Sequence, residues 1–474
     1  MATAALIGRP SQRPSPRAVE SPFSADEIFF STTDRKGRIR SGNRVFARVS
    51  GYSRAELIGS PHNVIRHPDM PRVVFRLLWQ TIEAGKPIAA YVKNMAKDGS
   101  YYWVLATVVP CDGGYLSVRI KPTTGYFDAA QAVYEDLLAV EQQIEQDGGP
   151  RRRDEAMAAA GVRLQERLQE AGFADYDAFM RTALLAEVKQ RETLRPVTLH
   201  DRQSETLTAD GRRLLRMLDA CGELGAFLRT LVTRIDAYMV LGEQLAEKVQ
   251  FASELGEDVQ LFSLNTLVAA SRMGSDAAAL GAVSSLMQAR SDQARPVFTA
   301  LTEDVLGASG LLNDILLPVA ISRIQAEAAL GFVHELLEGR DDECATADDL
   351  GALIRCLADE VSTLGARLTE IDRRLRSLID HVGELKGAMN TMRALELNGR
   401  IEAARVDGAE AVVGLFRTIA GSIVQARGQL EELFRASSFS FAREVGDAQR
   451  SQQHVATVRE LVATLGGSPA AAHT

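Results

Sequence analysis

The sequence predicts an α+β domain with a five-stranded antiparallel sheet and flanking helices, followed by a long all-α coiled-coil or helical-hairpin region. Three observations carry that prediction. Between Pro22 and Pro122, short β-rich runs alternate with turn residues, and 12 of the 28 aromatic residues fall there, both tryptophans among them. After Gly125 the apolar period lengthens to that of an amphipathic helix. Near the C-terminus Ile354, Leu357, Val361, Leu364, Leu368, Ile371, Leu375, Leu378, Val382, Leu385, Met389 and Met392 are spaced 3,4,3,4 without a miss, the mark of a coiled-coil seam.

Residues 1–21 hold Arg9, Pro10, Arg13, Pro14, Pro16 and Arg17 but no apolar block of signal-peptide length, so they are expected to form a disordered arm. Within the domain, 22–122, Glu27 to Ser31 reads as a strand, Asp34-Arg35-Lys36-Gly37 as a turn and Arg38 to Ser41 as the return strand. Ser53-Arg54-Ala55-Glu56 is a capping box that opens a short helix, closed by Gly59. Asp69-Met70-Pro71 supplies an N-cap candidate and an early proline for a helix running to Gly85, with Phe75, Leu78 and Ile82 on one face. A hairpin follows, Ile88 to Ala96 and Ser100 to Val109 about Lys97-Asp98-Gly99, and then a last strand, Tyr115 to Lys121, after Asp112-Gly113-Gly114.

An exit helix is expected over 126–148, ended by Gly148-Gly149-Pro150. A helical linker pair over 151–200 turns at Ala171-Gly172 and stops at Arg195-Pro196, and a polar joint runs from Val197 to Gly211. A first helical repeat is expected over 205–340 and a second over 346–465, before a disordered tail, 466–474. The second repeat has a start signal at Thr346-Ala347-Asp348-Asp349 and a stop signal at Gly466-Gly467-Ser468-Pro469. It divides into two arms of similar length, about 346–405 and 411–465, as an antiparallel hairpin requires. The repeats echo one another: Leu264-Asn265 through Met273-Gly274 resembles Leu397-Asn398 through Asp407-Gly408, at an offset of 133 residues (397 − 264), nineteen whole heptads. Duplication and chance similarity in an alanine-rich helix both account for the echo. Pairing along the seam can be met by a hairpin, by a homodimer or by both.

Composition narrows the function. With 54 Lys+Arg against 62 Asp+Glu the chain carries −8, which gives no field to attract nucleic acid. The four cysteines, Cys111, Cys221, Cys344 and Cys356, form no CxxC or Cys/His cluster, so neither a disulfide framework nor a metal site is expected, and a cytoplasmic setting suits them. No run of roughly 18 to 20 uninterrupted apolar residues is present, so no membrane span is expected. There is no P-loop, GxSxG, HExxH or Gly-rich dinucleotide turn, and the seven histidines are dispersed, so no catalytic residues are assigned and the chain is not read as an enzyme.

One segment concentrates chemistry. Pro61-His62-Asn63-Val64-Ile65-Arg66-His67-Pro68-Asp69-Met70-Pro71 sets Arg, His and Asp between stiffening prolines at a helix start. Arg66 offers planar donors and His67 a ring that stacks or donates; alternatively, Arg66 and Asp69 simply pair and cap the helix.

Phe30 to Pro122 resembles the PAS sensor domain of aerotaxis-receptor type chemotaxis proteins. The resemblance rests on Ser31-Thr32-Thr33-Asp34, Val49-Ser50-Gly51-Tyr52, the Pro61 to Pro71 run, Val92-Lys93-Asn94 and Tyr102-Trp103-Val104. It implies a PAS fold that binds FAD non-covalently and reports redox or oxygen state, with Asn43, Arg66, His67, Asp69 and Trp79 in the flavin pocket; haem or no cofactor stays open. The family often has a tryptophan where this chain has Ile88. The helical part is similar to the signalling hairpin of methyl-accepting chemotaxis proteins through Leu397-Asn398, Ile401-Glu402-Ala403-Ala404-Arg405, Gly408, Phe416, Ile419-Ala420 and Ile423. That likeness implies a tip that docks a coupling protein and a histidine kinase, with Asn398, Glu402, Arg405 and Phe416 as partner contacts. Together these features imply a cytoplasmic PAS-gated transducer that acts through a coiled-coil dimer. The alternative is a cofactor-free scaffold that binds receptor arrays or other signalling partners.

Overall fold

The computed structural model describes residues 14–111, 113–148, 152–194, 209–271, 278–337, 347–406, 410–438 and 440–465. The elements are β1 (Ile28–Asp34), β2 (Ile39–Gly42), α1 (Arg44–Ser50), α2 (Arg54–Leu57), a 3₁₀ turn (His62–Ile65), α3 (Arg72–Glu83), β3 (Ile88–Met95), β4 (Tyr101–Cys111), β5 (Gly114–Ile120), α4 (Gly125–Gly148), α5 (Arg153–Glu170), α6 (Tyr176–Leu194), α7 (Ala209–Ser271), α8 (Ala278–Leu337), α9 (Ala347–Ala403), α10 (Glu410–Ser437) and α11 (Ala442–Leu465). Outside the described residues lie Asp112, Gly149-Pro150, Arg195-Pro196, most of the 197–211 joint, the end of the first echo at Arg272-Met273-Gly274, Thr346, Asp407-Gly408 and the tail 466–474.

The chain divides into two compact units, one of residues 1–233, 316–362 and 450–474 and another of 234–315 and 363–449. In the first, the strands pair antiparallel in the order β2-β1-β5-β4-β3. Successive side chains of a strand point to opposite faces. Ser31 and Thr33 of β1, Val92 and Asn94 of β3, Ala106 and Val108 of β4, and Ser117 and Arg119 of β5 therefore share one face, the side covered by the 3₁₀ turn and α3. The opposite face is not left to water. Phe30 meets Phe332 of α8 edge-on at 5.1 Å, while Tyr91 and Trp103 meet Phe127 of α4 at 5.7 and 5.3 Å. This is why β5 is buried along its whole length instead of alternating.

Local signals explain the smaller elements. Asn43 caps α1 by accepting from Phe46 N, and Gly51, at φ 70°, ends it in the left-handed region that glycine tolerates. The Ser53/Glu56 capping box forms as expected. Asp69 does not cap α3, however. The carboxylate of Glu141 on α4 does so, accepting from Arg72 N and Val73 N at 2.9 Å each and placing negative charge at the helix N-terminus. The arm expected to be disordered is ordered in part: Arg17 N donates to Gly99 O, Tyr101 N to Val19 O and Ser21 N to Tyr101 O, so residues 17–21 follow the edge of the β3–β4 hairpin and satisfy its backbone.

The second unit is built from parts of α7, α8, α9 and α11 together with α10, the last two forming one arm. Ser309 Oγ of α8 donates to Gly242 O of α7 (3.0 Å), and His381 Nδ1 of α9 lies 3.2 Å from Asp304 of α8. Phe416 of α10 covers Gly399 of α9, and Phe441 N of α11 donates to Asp372 of α9 (3.2 Å). Tyr238 of α7 stacks on Phe441 at 5.0 Å and donates to Glu444 (3.3 Å), which closes the ring of neighbours. Residue numbers run in opposite senses across these pairs, so the arms are antiparallel. All seam residues from Leu364 to Met392 are buried. The seam is thus filled from within the chain. Among the described residues α8 alone is long and apolar enough to cross a membrane by length and composition, and most of its apolar window is buried against protein.

Candidate functional site

The inner face of the sheet, α3 and the 3₁₀ turn enclose a cavity of about 230 Å³. Its apolar wall is made by Phe75, Leu78, Trp79 and Ile82 of α3 with Val92, Ala106 and Val108 of the sheet. The α3 residues come inward because they recur three and four apart on a helix with one buried face. Trp79 is fixed between Tyr115, edge-on at 5.7 Å, and Gly37, where a Cβ would come within 2.9 Å of the indole. Gly37 also has φ 72°, so this turn needs glycine for two reasons.

The polar wall is built around Arg119. It is 2% exposed, and no acid forms a salt bridge with it among the described residues. Its Nη2 donates to Ser31 Oγ at 2.9 Å and meets His62 Nε2 at 2.5 Å, and the guanidinium lies over the rings of Phe46 and Phe29 at 5.3 and 5.8 Å. Burial pulls Arg119 down to about 10, which leaves it a cation at neutral pH. Burial and then the charge of Arg119 hold His62 down at about 3, so its ring is neutral and Nε2 is the acceptor. Arg119 Nη1 and Asn94 Nδ2 are buried donors without a protein partner, and both residues line the cavity. Buried donors of this kind are costly unless something satisfies them. The site therefore suits a ligand with an apolar ring edge and, on its other edge, acceptors for two donors.

Of the residues expected to form the pocket, Arg66 and Trp79 line it. Arg66 is held by its Nη2 bond to Met70 O (3.2 Å) and by stacking over Phe75 at 3.9 Å. The other three are placed elsewhere. Asn43 accepts from Phe30 N, donates to Ile28 O (3.1 Å) and reaches Glu335 of α8 at 3.5 Å. His67 is buried, its Nδ1 accepting from Asp69 N (3.1 Å); burial first, then the Lys93 charge, lowers its pKa against the pull of Asp69. Asp69 pairs with Lys93 Nζ at 2.8 Å. These three hold the loop and sheet in position and do not line the cavity. Arg119, Asn94 and His62 line the cavity without having been assigned to it: His62 lies in the Pro61 to Pro71 segment and Asn94 in the Val92-Lys93-Asn94 motif, where neither was given a role, and Arg119 stands alone in a largely apolar strand. Ile88 is buried on β3 and is not part of the cavity wall.

Residues 40–118 match the family model described as "PAS fold". With the five-stranded antiparallel sheet and its flanking helices, that match decides the fold. The N-terminal domain is a PAS domain. Over 134 residues the chain is 40% identical to the aerotaxis receptor of Escherichia coli K12, covering 27% of this chain and 26% of the receptor. Over 83 residues it is 30% identical to a nitrogen fixation regulatory protein of Klebsiella pneumoniae, 18% of this chain and 17% of that one. The chain thus spans about a quarter or less of the length of these curated relatives. A solved PAS domain from Colwellia psychrerythraea is 24% identical, over 20% of this chain and 85% of that one, with a TM-score of 0.18. The PAS domain is followed by a long helical region.

In that region the expected partner contacts separate. Phe416 is fully buried over Gly399, so it belongs to the bundle core and not to a docking surface. Asn398 and Arg405 are exposed, and Glu402 pairs with Arg405 at 2.9 Å. Beside them Leu397 and Ile401 are exposed, and so are Leu264 and Val268, their counterparts in the first echo.

Proposed function

We propose that this protein is a PAS-gated signal transducer whose cavity takes the ring end of a flavin, FAD, and whose helices relay the state of that site to a histidine kinase and coupling protein. The observation that carries this reading is the pair of buried, unpartnered donors, Arg119 Nη1 and Asn94 Nδ2, opposite the apolar wall of Trp79, Leu78 and Ile82. A flavin ring has that division: an apolar benzenoid edge and a pyrimidine edge rich in acceptors. At about 230 Å³ the cavity is below the roughly 300–1,000 Å³ of sites that enclose whole ligands, so it fits a ring system and leaves the rest of a dinucleotide outside. Lys36 and Asn63 are exposed at its rim, where phosphates of such a tail would lie. Haem is less well served: His62, the one histidine in the lining, has its Nε2 engaged by Arg119.

When bound, the flavin supplies a centre whose charge and proton count change with its redox state. The chain's part is to hear that change. Ser31 lines the cavity and bonds Arg119, while the next residue back, Phe30, packs on Phe332 of α8. Asn43 ties β1 to Glu335 on the same helix. On the other edge, Tyr91 OH, next to cavity residue Val92, donates to Glu187 of α6 (3.1 Å), which also accepts from Thr123 and Thr124 at the domain exit. A small change in the cavity thus meets helix contacts one residue away, as a two-state switch needs. The cytoplasm and the Asn398/Glu402/Arg405 tip complete the proposal as its setting and its partner surface.

The test is the visible spectrum of the purified full chain, with released cofactor identified by chromatography. Flavin bands near one per chain are expected, lost in Arg119→Ala and Asn94→Ala and retained in His67→Gln. A colourless, folded protein overturns the sensor reading in favour of a cofactor-free scaffold, and a Soret band replaces flavin by haem.

A further inference from the structure

The buried charges of the first unit converge on α6. Glu187 and Arg191 stand one turn apart on the same face of that helix, and both are buried. The Glu187 carboxylate accepts from Thr123 N and Oγ1 at 2.7 and 2.8 Å, from Thr124 N and Oγ1 at 3.1 and 2.8 Å, and from Tyr91 OH at 3.1 Å. Arg191 does the reverse: its Nη1 donates to Ala25 O and its Nη2 to Asp26 O, the latter at 2.9 Å. Those carbonyls stand just before β1 and those N–H groups just after β5, and the two strand ends lie side by side, Ile28 opposite Ile120. One helix face thus holds both ends of the β1–β5 pair, an acid on the backbone donors and a base on the backbone acceptors. We propose that α6 is the output reader of the PAS sheet, and that Glu187 and Arg191 form one two-ended grip that closes and releases as a unit.

Arg191 is also the first link in a buried chain of charges. Its Nε lies 3.1 Å from both carboxylate oxygens of Glu327 on α8, and its Nη2 donates to the same group at 2.8 Å. Glu327 lies 3.5 Å from Arg323 Nη1, Arg323 pairs with Glu192 of α6, and Glu192 pairs with Arg229 of α7 at 3.2 Å. All of these residues belong to the first compact unit. Withdrawing one member strands a charge away from water, which costs far more than the loss of a surface pair, so a half-released state is disfavoured. Only a flat guanidinium fits the role, because one edge of its fork meets the carboxylate while its tip meets two carbonyls; an ammonium is a point charge and cannot span them.

The β1–β5 pair also carries Ser31 and Arg119 into the cavity wall. A displacement of that pair must carry both halves of the grip with it or break both, and through Glu327 and Glu192 it reaches α8 and α7. The grip rests on the reading of the PAS domain as the sensor, but it is a property of the chain without cofactor. Absence of flavin leaves it standing, and its failure leaves the cofactor reading untouched.

The experiment is hydrogen–deuterium exchange of the full chain with no added ligand, resolved at Thr123 and Thr124, whose amides donate to Glu187. Arg191→Lys keeps the charge and loses the fork. It should speed exchange at Thr123 and Thr124 about tenfold, with the amides of α3 unchanged. Coupling is reciprocal, so Glu187→Gln should speed exchange of the Glu27 amide, which closes the turn that Arg191 holds. The double variant Arg191→Met/Glu327→Met leaves neither of the two charges without its partner. If the pair only neutralises buried charge, that variant exchanges like the parent at Thr123 and Thr124; a two-ended grip predicts the same acceleration as in Arg191→Lys. Faster exchange confined to residues 23–28 in Arg191→Lys, or full protection of Thr123 and Thr124 in the double variant, refutes the grip. Where Arg191→Lys speeds exchange everywhere, α3 included, the double variant decides.

Discussion

Arg119 and His62 show how one residue pair sets the character of the site. A cation buried without an acid is tolerable only because Ser31, the ring nitrogen of His62 and two aromatic faces share its field. The arrangement in turn requires His62 to stay neutral. Its folded pKa of about 3 lies below the ordinary 6.5, so the unfolded chain takes up a proton first as pH falls. The stability that depends on neutral His62 is complete above 6.5 and drains away as pH drops toward 3. Between pH 7 and pH 5 this amounts to about 2 kcal/mol, at roughly 1.4 kcal/mol per unit inside the window. Urea unfolding of His62→Gln at the two pH values should show that much less acid destabilisation than the parent chain. An identical loss in both proteins would mean that His62 is charged, or solvated, in the fold.

At the scale of elements, the regular repeats were legible and the special positions were not. The 3,4,3,4 seam gave the long helices, and the turn residues around Lys97-Asp98-Gly99 gave the β3–β4 hairpin within a residue or two. Helix α1 was missed because Arg44–Ser50 is only seven residues long and β-branched in part, although Asn43 and Gly51 bracket it as caps. The resemblance implies Asn43 in the pocket, whereas the structure makes it the cap of α1. Glu141 as the cap of α3 was invisible, because 69 positions of chain separate it from Arg72. Phe416 illustrates the same limit on α10. Its ring fills the space left by Gly399, where a Cβ would stand 2.2 Å from the ring. An alanine for glycine inside a helix normally gains about 1 kcal/mol. Gly383→Ala, with nothing within 4 Å of the new atom, should follow that rule. Gly399→Ala should reverse it and destabilise by about 1–3 kcal/mol, since the Phe416 ring must move. Thermal melts of the two variants compare them directly, and a gain in both would show that α9 and α10 do not touch at this point.

For the whole molecule, the decisive feature is that one chain supplies every helix of the second unit. A seam repeating every 3.5 residues demands partners along one narrow stripe, and sequence alone cannot tell a partner chain from a later part of the same chain. Here the contacts of α8 with α7 and α9, and of α9 with α10 and α11, supply that pairing within one chain. Leu364 to Met392 are accordingly buried without a second copy, and the ring of contacts through Asp304, Asp372, Tyr238 and Phe441 closes. A dimer through the seam would have to expose these leucines before it formed. Light scattering should therefore give the mass of one chain, 51.5 kDa, unchanged across the micromolar range. The apolar surface left for self-association in this unit includes the pair of equivalent patches at Leu264/Val268 and Leu397/Ile401. If two chains associate through those patches, Leu264→Ser/Leu397→Ser should return the mass to one chain with its helical content intact. A doubled mass that survives those substitutions, and falls only when a seam leucine such as Leu378 is changed, would mean that the bundle is shared between chains.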